Sequence, residues 1–454
     1  MKENIFRAYD IRGKYPEEID EEVFYTLGKS YGSYIKEKYH QDKCVLSHDN
    51  RLSSESLTNS VMKGIMDSGC NVIYLGLTTT PMNYFARHYL NIPGVMVTAS
   101  HNPKDDNGLK FSFDGMINAR GEMIDDFKKY TLQGEFLEGS GTCEDKDIFN
   151  EYLDYLYKDI RFGNHKIKVI FDPGNGVGSD YVHKVFNNNE HFEALFINDI
   201  SDGTFPNHHP DPSVKENMKD LQKAVIDNKA DVGIAFDGDA DRIGIVTNEG
   251  KVLPIEYFMN LCIGDMFTEV EKKEFLYDIK CSKSVEDYIT SLGGKSLCYR
   301  TGASYTEYKT YEENLPFGCE YSGHVYFRDR TFDCCSAFYA SLRFIEILSK
   351  VPVQLNRLIE NFSYYYATEE ERIPCDDNKK FEVCNKIVTI AKEKGYNIND
   401  IDGARITFDD GWVLVRASNT GPNITFRCEG VTEKRRDELK EEYLNLINDL
   451  SSGV

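Results

Sequence analysis

The sequence predicts an α/β protein built from three related mixed-sheet α/β domains followed by a smaller α+β domain. Three observations lead there. First, 454 residues are too many for one ordinary core, so several domains are expected. Second, three apolar strand-like runs each lead into a charged, Ser-containing turn and then a helix-like stretch: Lys43-Cys44-Val45-Leu46-Ser47 before Asp49, Lys168-Val169-Ile170-Phe171 before Asp172, and Glu274-Phe275-Leu276-Tyr277 before Asp278. Repeated strand–turn–helix units suggest βαβ architecture with helices covering a mixed sheet. Third, the last part reads differently. Ala404 to Phe408 and Trp412 to Arg416 form a hairpin pattern around Asp409-Asp410-Gly411, and a third strand, Ile424-Thr425-Phe426-Arg427, follows a Gly421-Pro422 break. Leu439, Tyr443, Leu446, Ile447 and Leu450 then recur at helical spacing. No low-complexity tract separates these parts, so short connections are expected, with domains at residues 1–147, 148–250, 251–362 and 363–454.

Composition narrows the function. A hydrophobic share of 41% is that of a soluble globular chain. No apolar run approaches the roughly 20 residues of a membrane helix. Met1-Lys2-Glu3-Asn4-Ile5-Phe6-Arg7 lacks the apolar core of a signal peptide, and Ser451-Ser452-Gly453-Val454 carries no retention or lipidation signal, so a cytoplasmic protein is expected. Twelve scattered cysteines contain no C-x-x-C, which argues against a zinc ribbon or a thioredoxin-type site and for reduced, buried thiols. A net charge of −22 disfavours nucleic-acid and membrane partners. Arginines focused in a cleft can still bind a small anion.

Five stretches carry chemistry. An apolar strand, Gly94-Val95-Met96-Val97, ends in Thr98-Ala99-Ser100-His101-Asn102-Pro103 and continues to Lys110. It exposes one serine beside a histidine; a serine hydroxyl needs a base, or a phosphoryl group already on it, to do chemistry. Read alone, this is also an ordinary Ser/Asn turn closed by Pro103. The G-x-S-x-G elbow of serine hydrolases is absent. In the second stretch, a strand delivers Asp237, Asp239 and Asp241 at alternate positions into a tight loop ending at Arg242. Three such carboxylates repel unless a cation joins them, and hard oxygen ligands favour Mg²⁺ or Ca²⁺ over zinc. An EF-hand is excluded because Arg242 and Asn248 stand where its glycine and glutamate are required.

The third stretch, Pro316 to His324, offers Glu320, Ser322 and His324, which together can donate and accept hydrogen bonds to adjacent sugar hydroxyls. In the fourth, Arg416-Ala417-Ser418-Asn419-Thr420-Gly421-Pro422-Asn423 closes with Arg427, and is either a phosphate cradle or an inter-strand turn. The fifth, Phe6 to Gly13, holds Tyr9, Asp10 and Arg12 and is consistent with an edge-strand ion network. Gly174-Asn175-Gly176-Val177-Gly178 lacks the full dinucleotide pattern and reads as a backbone turn.

Taken in order, these stretches resemble the α-D-phosphohexomutase family, in particular its phosphomannomutase/phosphoglucomutase group, over nearly the whole chain. Thr98 to Pro103 is similar to the family's phosphoserine loop, Asp237 to Arg242 to its metal loop, Gly318 to His324 to its sugar-binding loop (with Cys319 in place of the usual glycine), and Arg416 to Arg427 to its phosphate-binding loop. The resemblance implies four domains around a central cleft and interconversion of hexose 1-phosphate and hexose 6-phosphate, of mannose and/or glucose, through a bisphosphorylated sugar. It implies that Ser100 carries the phosphoryl group and, with Asp237, Asp239 and Asp241, binds one Mg²⁺. Tyr9, Arg12, His101, Lys110 and Arg242 would line the reaction centre, and Lys280 would reach in from the third domain. Glu320, Ser322 and His324 would hold the sugar, and Arg416, Ser418, Asn419, Thr420 and Arg427 the phosphate. Lys110, His101 and His324 are the candidate bases. One departure stands out: Ala303 occupies the place of a sugar-contacting histidine, and Glu307 that of a common lysine. Phosphoglucosamine mutase, a phosphosugar-binding protein with little turnover, and a Mg²⁺-dependent phosphatase are the competing readings.

Overall fold

The computed structural model describes residues 1–452 except Met116, Asp333, Asp377 and residues 419–421. Asn419 and Thr420, expected at the phosphate site, thus lie outside the described residues.

Four sheets organise the chain. In the first, the strands lie in the order Ile11–Lys14, Asp106–Ser112, Gly94–Val97, Lys43–His48, Asn71–Leu77, Cys143–Asp145. The last four are mutually parallel, while Asp106–Ser112 runs antiparallel to both its neighbours. The second sheet orders Ile243–Thr247, Val232–Phe236, Ile167–Asp172 and Phe192–Phe196, with only the first pair antiparallel. The third orders Lys295–Tyr299, Glu274–Asp278, Phe317–Cys319 and Val325–Phe327, again with one antiparallel pair. The fourth is antiparallel throughout and is covered by helices Lys380–Glu393 and Glu433–Ser452. The expected three mixed-sheet α/β units and a final α+β unit are therefore present.

The three mixed sheets share one plan, and that plan positions the site. In each, a parallel strand ends at a fully buried aspartate: Asp49, Asp172 or Asp278. A second strand lies beside it and folds back antiparallel through a short loop. Those loops, residues 98–105, 237–242 and 320–324, are the three that the sequence marks as chemical. In the fourth sheet the adjacent strands Gly411–Ala417 and Asn423–Gly430 bracket the fourth loop.

Local signals set the elements. Asp20 caps Glu21–Tyr39 by accepting from the Val23 N–H, and Thr79 caps Thr80–Leu90, which has Pro81 in its first turn. Helix Ala337–Lys350 is buried along all but its last residue. It packs between the second and third units, and in its polar stripe Arg343 and Glu346 are buried only because each is paired, while Lys350 at the exposed end bonds Glu346. Its Arg343 and Glu346 are neutralised by Asp329 and Arg330 at 2.8 and 2.9 Å. The hairpin in the last unit differs in detail from the sequence reading. Phe408 pairs with Gly411, so Asp409 and Asp410 form the turn and Gly411 opens the next strand. Glycine is needed there because a Cβ would sit 2.3 Å from the Glu429 carbonyl oxygen.

The C-terminal unit docks on the third through buried Trp412 and Leu414 against Ile279. Trp412 Nε1 donates to Glu429 at 2.7 Å, and the Arg405 guanidinium donates to the carbonyls of Ile279 and Cys281. Among the described residues no helix is long and apolar enough to cross a membrane, and the twelve cysteines are all free thiols, ten of them buried.

Candidate active site

Ser100 is fully buried and holds a left-handed backbone, φ 54°. Such a conformation is uncommon for a residue other than glycine, and asks what enforces it. The backbone N–H donates to Thr98 Oγ1 at 2.9 Å, and the carbonyl accepts from Arg51 at 2.7 Å. Gly238 packs on that same carbonyl, where a Cβ would come within 2.5 Å. The result aims Oγ into the metal loop, where it donates to Asp237 Oδ2 at 2.9 Å; His101 Nδ1 lies 3.4 Å away.

Asp237, Asp239 and Asp241 are all buried, and one ligand atom from each lies within 4.8 Å of the others. The loop is held from below by Asp237 Oδ1, which accepts from the N–H groups of Asp241 and Arg242. Val177, from the glycine-rich turn after the preceding strand, donates its N–H to the Gly238 carbonyl. That turn is therefore a buttress of the loop. Lys110 Nζ lies 2.7 Å from Asp239 and 2.6 Å from Asp241, and Thr80 donates to Asp239 at 2.6 Å. Even so, Asp239 Oδ1 and Asp241 Oδ1 are buried with no hydrogen-bond partner. Burial, then Asp241 and Asp239, push the Asp237 carboxyl well above its usual range. Hard oxygens with unsatisfied lone pairs and mutual repulsion fit a hard divalent cation held by the triad and Ser100.

Around this centre stand the cations. Arg12 pairs with Asp10 at 2.7 Å and also donates to Asn102 Oδ1 and the Ala99 carbonyl, so the edge-strand ion network reaches the loop that carries Ser100. Arg242 Nε donates to His324 Nε2 at 3.0 Å. The proton of that neutral ring is then on Nδ1, which faces Cys335 Sγ at 3.3 Å and Asp241 Oδ1 at 3.5 Å. Burial, then Arg242, hold both His101 and His324 well below the usual imidazole range, with Arg12 adding to the first and Lys110 to the second. Burial alone would lower Lys110, but Asp239 and Asp241 raise it well above its usual range.

The third unit supplies the other wall. Glu320 is anchored through Oε1, which accepts from the Gly302 N–H at 2.9 Å and the Thr306 hydroxyl at 2.6 Å. Oε2 is left with the Ser322 hydroxyl at 3.2 Å. Burial, with Asp278 beside it, pushes its carboxyl up to about 7. Tyr9 and Tyr305 meet edge to face across the first and third units. Ala303 opens helix Ala303–Glu312 and presents no polar side chain; Glu307 turns away to accept the Asn118 N–H at 2.9 Å. Lys280 Nζ pairs with Glu370 at 3.0 Å. Arg416 pairs with Asp402 at 3.0 Å, and the Ser418 carbonyl accepts from Lys380. Arg427 stacks on the Tyr321 ring, 4.2 Å from its centroid, and bonds Glu256, Glu429 and the Lys280 carbonyl. It joins the last two units beside Lys280.

Models for the family's four domains match in order: phosphoglucomutase/phosphomannomutase alpha/beta/alpha domains I, II and III over residues 3–137, 150–250 and 255–365, and the C-terminal domain over 370–446. The chain belongs to the phosphoglucomutase/phosphomannomutase family. It is 34% identical over 458 residues to the phosphomannomutase/phosphoglucomutase of Pseudomonas aeruginosa, covering 99% of this chain and 97% of that one. It is 34% identical over 449 residues to a Neisseria meningitidis phosphoglucomutase, covering 98% and 96%. A Burkholderia thailandensis family protein of known structure superimposes with TM-score 0.92 at 29% identity, covering 100% of this chain and 99% of that one. The four units are thus the family's four domains, and the resemblance read from the loops holds along the chain.

Sequence reasoning missed several residues that hold this site. Asp49, Arg51, Thr80, Asp278, Cys335 and Glu370 act on loops distant in sequence: Thr80 and Asp239, for example, are 159 positions apart. Asp49 and Asp278 were visible only as the ends of repeated strands.

Proposed function

We propose that the chain interconverts hexose 1-phosphate and hexose 6-phosphate, of mannose and/or glucose, with Ser100 as phosphoryl carrier and the aspartate triad as a Mg²⁺ site. The observation that carries this is the Ser100 hydroxyl bonded into a buried, under-satisfied carboxylate triad and ringed by Arg12, Lys110 and Arg242. Phosphoryl transfer is mostly positioning and charge neutralisation, which suits such a set better than a nucleophile–base pair would. Bound at Asp237, Asp239, Asp241 and Ser100, a Mg²⁺ ion would neutralise charge on the transferring group. In the first half-reaction the P–O bond to Ser100 Oγ breaks and a P–O bond to the sugar hydroxyl forms. That hydroxyl's proton passes to His101, the candidate base these contacts leave, since Lys110 is held as an ammonium by Asp239 and Asp241 and His324 Nε2 already accepts from Arg242. Ser100 Oγ is left to be reprotonated. The bisphosphorylated sugar then turns in the cleft, and its other phosphoryl group returns to Ser100 by the reverse steps. Glu320 and Ser322 hold ring hydroxyls, while Lys280, Arg416 and the 418–422 loop hold the phosphate not in transfer.

The test is kcat/KM for glucose, mannose, galactose and glucosamine 1-phosphates on one preparation. By the family resemblance Glu320 and Ser322 hold O3 and O4, which glucose and mannose present alike. These two sugars are expected to react at comparable rates. Galactose turns O4 axial and leaves buried polar groups unpaired, which costs about 1–3 kcal/mol, or roughly tenfold to a hundredfold in kcat/KM. Equal use of galactose would show that this loop does not read O4. A strong preference for glucosamine would move the chain to the phosphoglucosamine mutases, and binding without turnover would make it a phosphosugar-binding protein.

A second expectation concerns Glu370. Its carboxylate, held below its usual range chiefly by Lys280, occupies the cation that a substrate phosphate would use. Glu370→Gln should therefore lower KM for hexose phosphates by about three- to tenfold, the scale of one partly exposed ion pair, with a smaller change in kcat. An unchanged or raised KM in steady-state assays would count against competition at Lys280.

A further inference from the structure

We infer that Arg51 is a positioning residue for the phosphoryl carrier: with Asp49 and Thr98 it holds residues 100–106 so that Ser100 Oγ faces the metal loop. The inference rests on the proposed role of Ser100. Arginine has five N–H donors in a rigid fork, and here every one is used. Nε donates to Asp49 Oδ2 at 3.1 Å; Nη1 to the carbonyls of Pro103 and Asp106 at 2.6 and 3.0 Å; Nη2 to those of Ser100 and Asn102 at 2.7 and 2.8 Å. Three of the five bonds thus end on the backbone of the loop that carries Ser100, and a fourth on Asp106, the first residue of the strand that follows it. The side chain is fully buried, closed over by Phe205 of the second domain, whose ring centroid lies 5.3 Å from the guanidinium carbon.

Asp49 completes the arrangement. Its Oδ1 accepts from the Arg51 N–H at 3.0 Å and from the Ser54 hydroxyl; its Oδ2 accepts from Arg51 Nε and, at 2.7 Å, from Thr98 Oγ1. Thr98 Oγ1 in turn accepts the Ser100 N–H. The N–H and the carbonyl of Ser100 are therefore held from one side by a single buried ion pair, the first through Thr98 and the second directly. This explains why a non-glycine residue keeps φ 54° at this point. A lysine could carry the charge but not the geometry, since an ammonium cannot reach four carbonyls spread over seven residues of chain from one fixed plane.

In the folded protein well below its melting temperature, Arg51→Lys is expected to lower kcat by about 100-fold, the effect of misplacing a reacting group by about 1 Å. KM for glucose 1-phosphate should stay within about threefold, because Arg51 does not touch the substrate-binding residues. The rate at which dephosphorylated protein takes up a phosphoryl group from glucose 1,6-bisphosphate, followed by intact mass, should fall by the same factor as kcat. Thr98→Val keeps the shape and removes one link, and is expected to lose about tenfold in both rates. If Arg51→Lys does not accumulate as folded protein, Thr98→Val and Asp49→Asn decide the matter by the same two rates. Wild-type protein that turns over and is phosphorylated at Ser100, beside variants of unchanged kcat and phosphorylation rate, would overturn the inference alone. Wild-type protein that does neither would overturn the proposed function, and the inference with it.

Discussion

Ser100→Ala is expected to fold, to show no phosphoryl adduct by intact mass, and to lose mutase turnover by several orders of magnitude, the scale of deleting an essential group. The structure separates these outcomes. The substitution removes one buried hydrogen bond, from Ser100 Oγ to Asp237 at 2.9 Å, with a net value of about 1 kcal/mol. The backbone restraints on Ser100, through Thr98, Arg51 and Gly238, do not involve its side chain and persist in the variant. Stability should thus change little while chemistry is lost, because no other hydroxyl takes the place of Oγ. Thr98 Oγ1 is committed to Asp49 and to the Ser100 N–H, and Thr80 Oγ1 to Asp239. Circular dichroism and a melting curve establish the fold, mass spectrometry the adduct, and a coupled glucose 6-phosphate assay the rate. Near-normal rates in the variant would refute Ser100 as carrier, and steady phosphate release from the wild type without isomerisation would make the protein a phosphatase.

Much of this arrangement was legible in the sequence, for a physical reason. Each chemical loop is a short contiguous stretch between two strands of one antiparallel pair, so its residues are neighbours in sequence and in space. Apolar runs leading into polar turns were enough to place Ser100, Asp237, Asp239, Asp241 and Arg416 at or just past strand ends, and Glu320 in a polar loop between apolar segments. The repeat was also visible, since the runs ending at Asp49, Asp172 and Asp278 mark the same point in three domains. What the sequence did not reveal is the use of those aspartates. Asp49 accepts from Thr98 in the Ser100 loop, Asp278 accepts the Tyr321 N–H in the sugar loop at 3.1 Å, and Asp172 accepts the Gly174 N–H in the turn that supports the metal loop. The bond of Asp172 closes a local turn two residues on, whereas those of Asp49 and Asp278 cross between neighbouring strands and depend on their register, which no local pattern encodes. The same holds for Arg51, and for Cys335 behind His324. Phosphate-site pairs were equally hidden: Lys280 and Glu370 meet only once the C-terminal domain has docked through Trp412.

Removal of divalent cations is expected to abolish turnover, and Mg²⁺ to restore it. Three carboxylates lie within 4.8 Å of one another in a buried loop, and among the described residues Lys110 is the one ammonium that reaches two of them. That leaves a net negative centre with two unsatisfied oxygens in the loop that the Ser100 hydroxyl bonds through Asp237, where the proposed phosphoryl group would add further negative charge. Arg12 is paired with Asp10, and Arg242, 3.8 Å from Asp237, offsets part of the excess, so the three carboxylates still lack a full set of counter-charges once a phosphoryl group is added. Asp239→Asn separates metal binding from folding. The amide oxygen can still accept from Thr80 and Lys110 as the present Oδ2 does, so the melting temperature should shift by only about 2–4 °C. One formal charge is lost from the ligand set, however, and affinity for a hard cation follows that count, so Mg²⁺ binding should weaken by about tenfold or more. Isothermal titration with Mg²⁺, and with Mn²⁺ followed by electron paramagnetic resonance, reads binding directly without turnover. Dialysed protein that keeps full activity in excess chelator would refute the metal site, as would an Asp239→Asn variant that binds Mn²⁺ as tightly as the wild type.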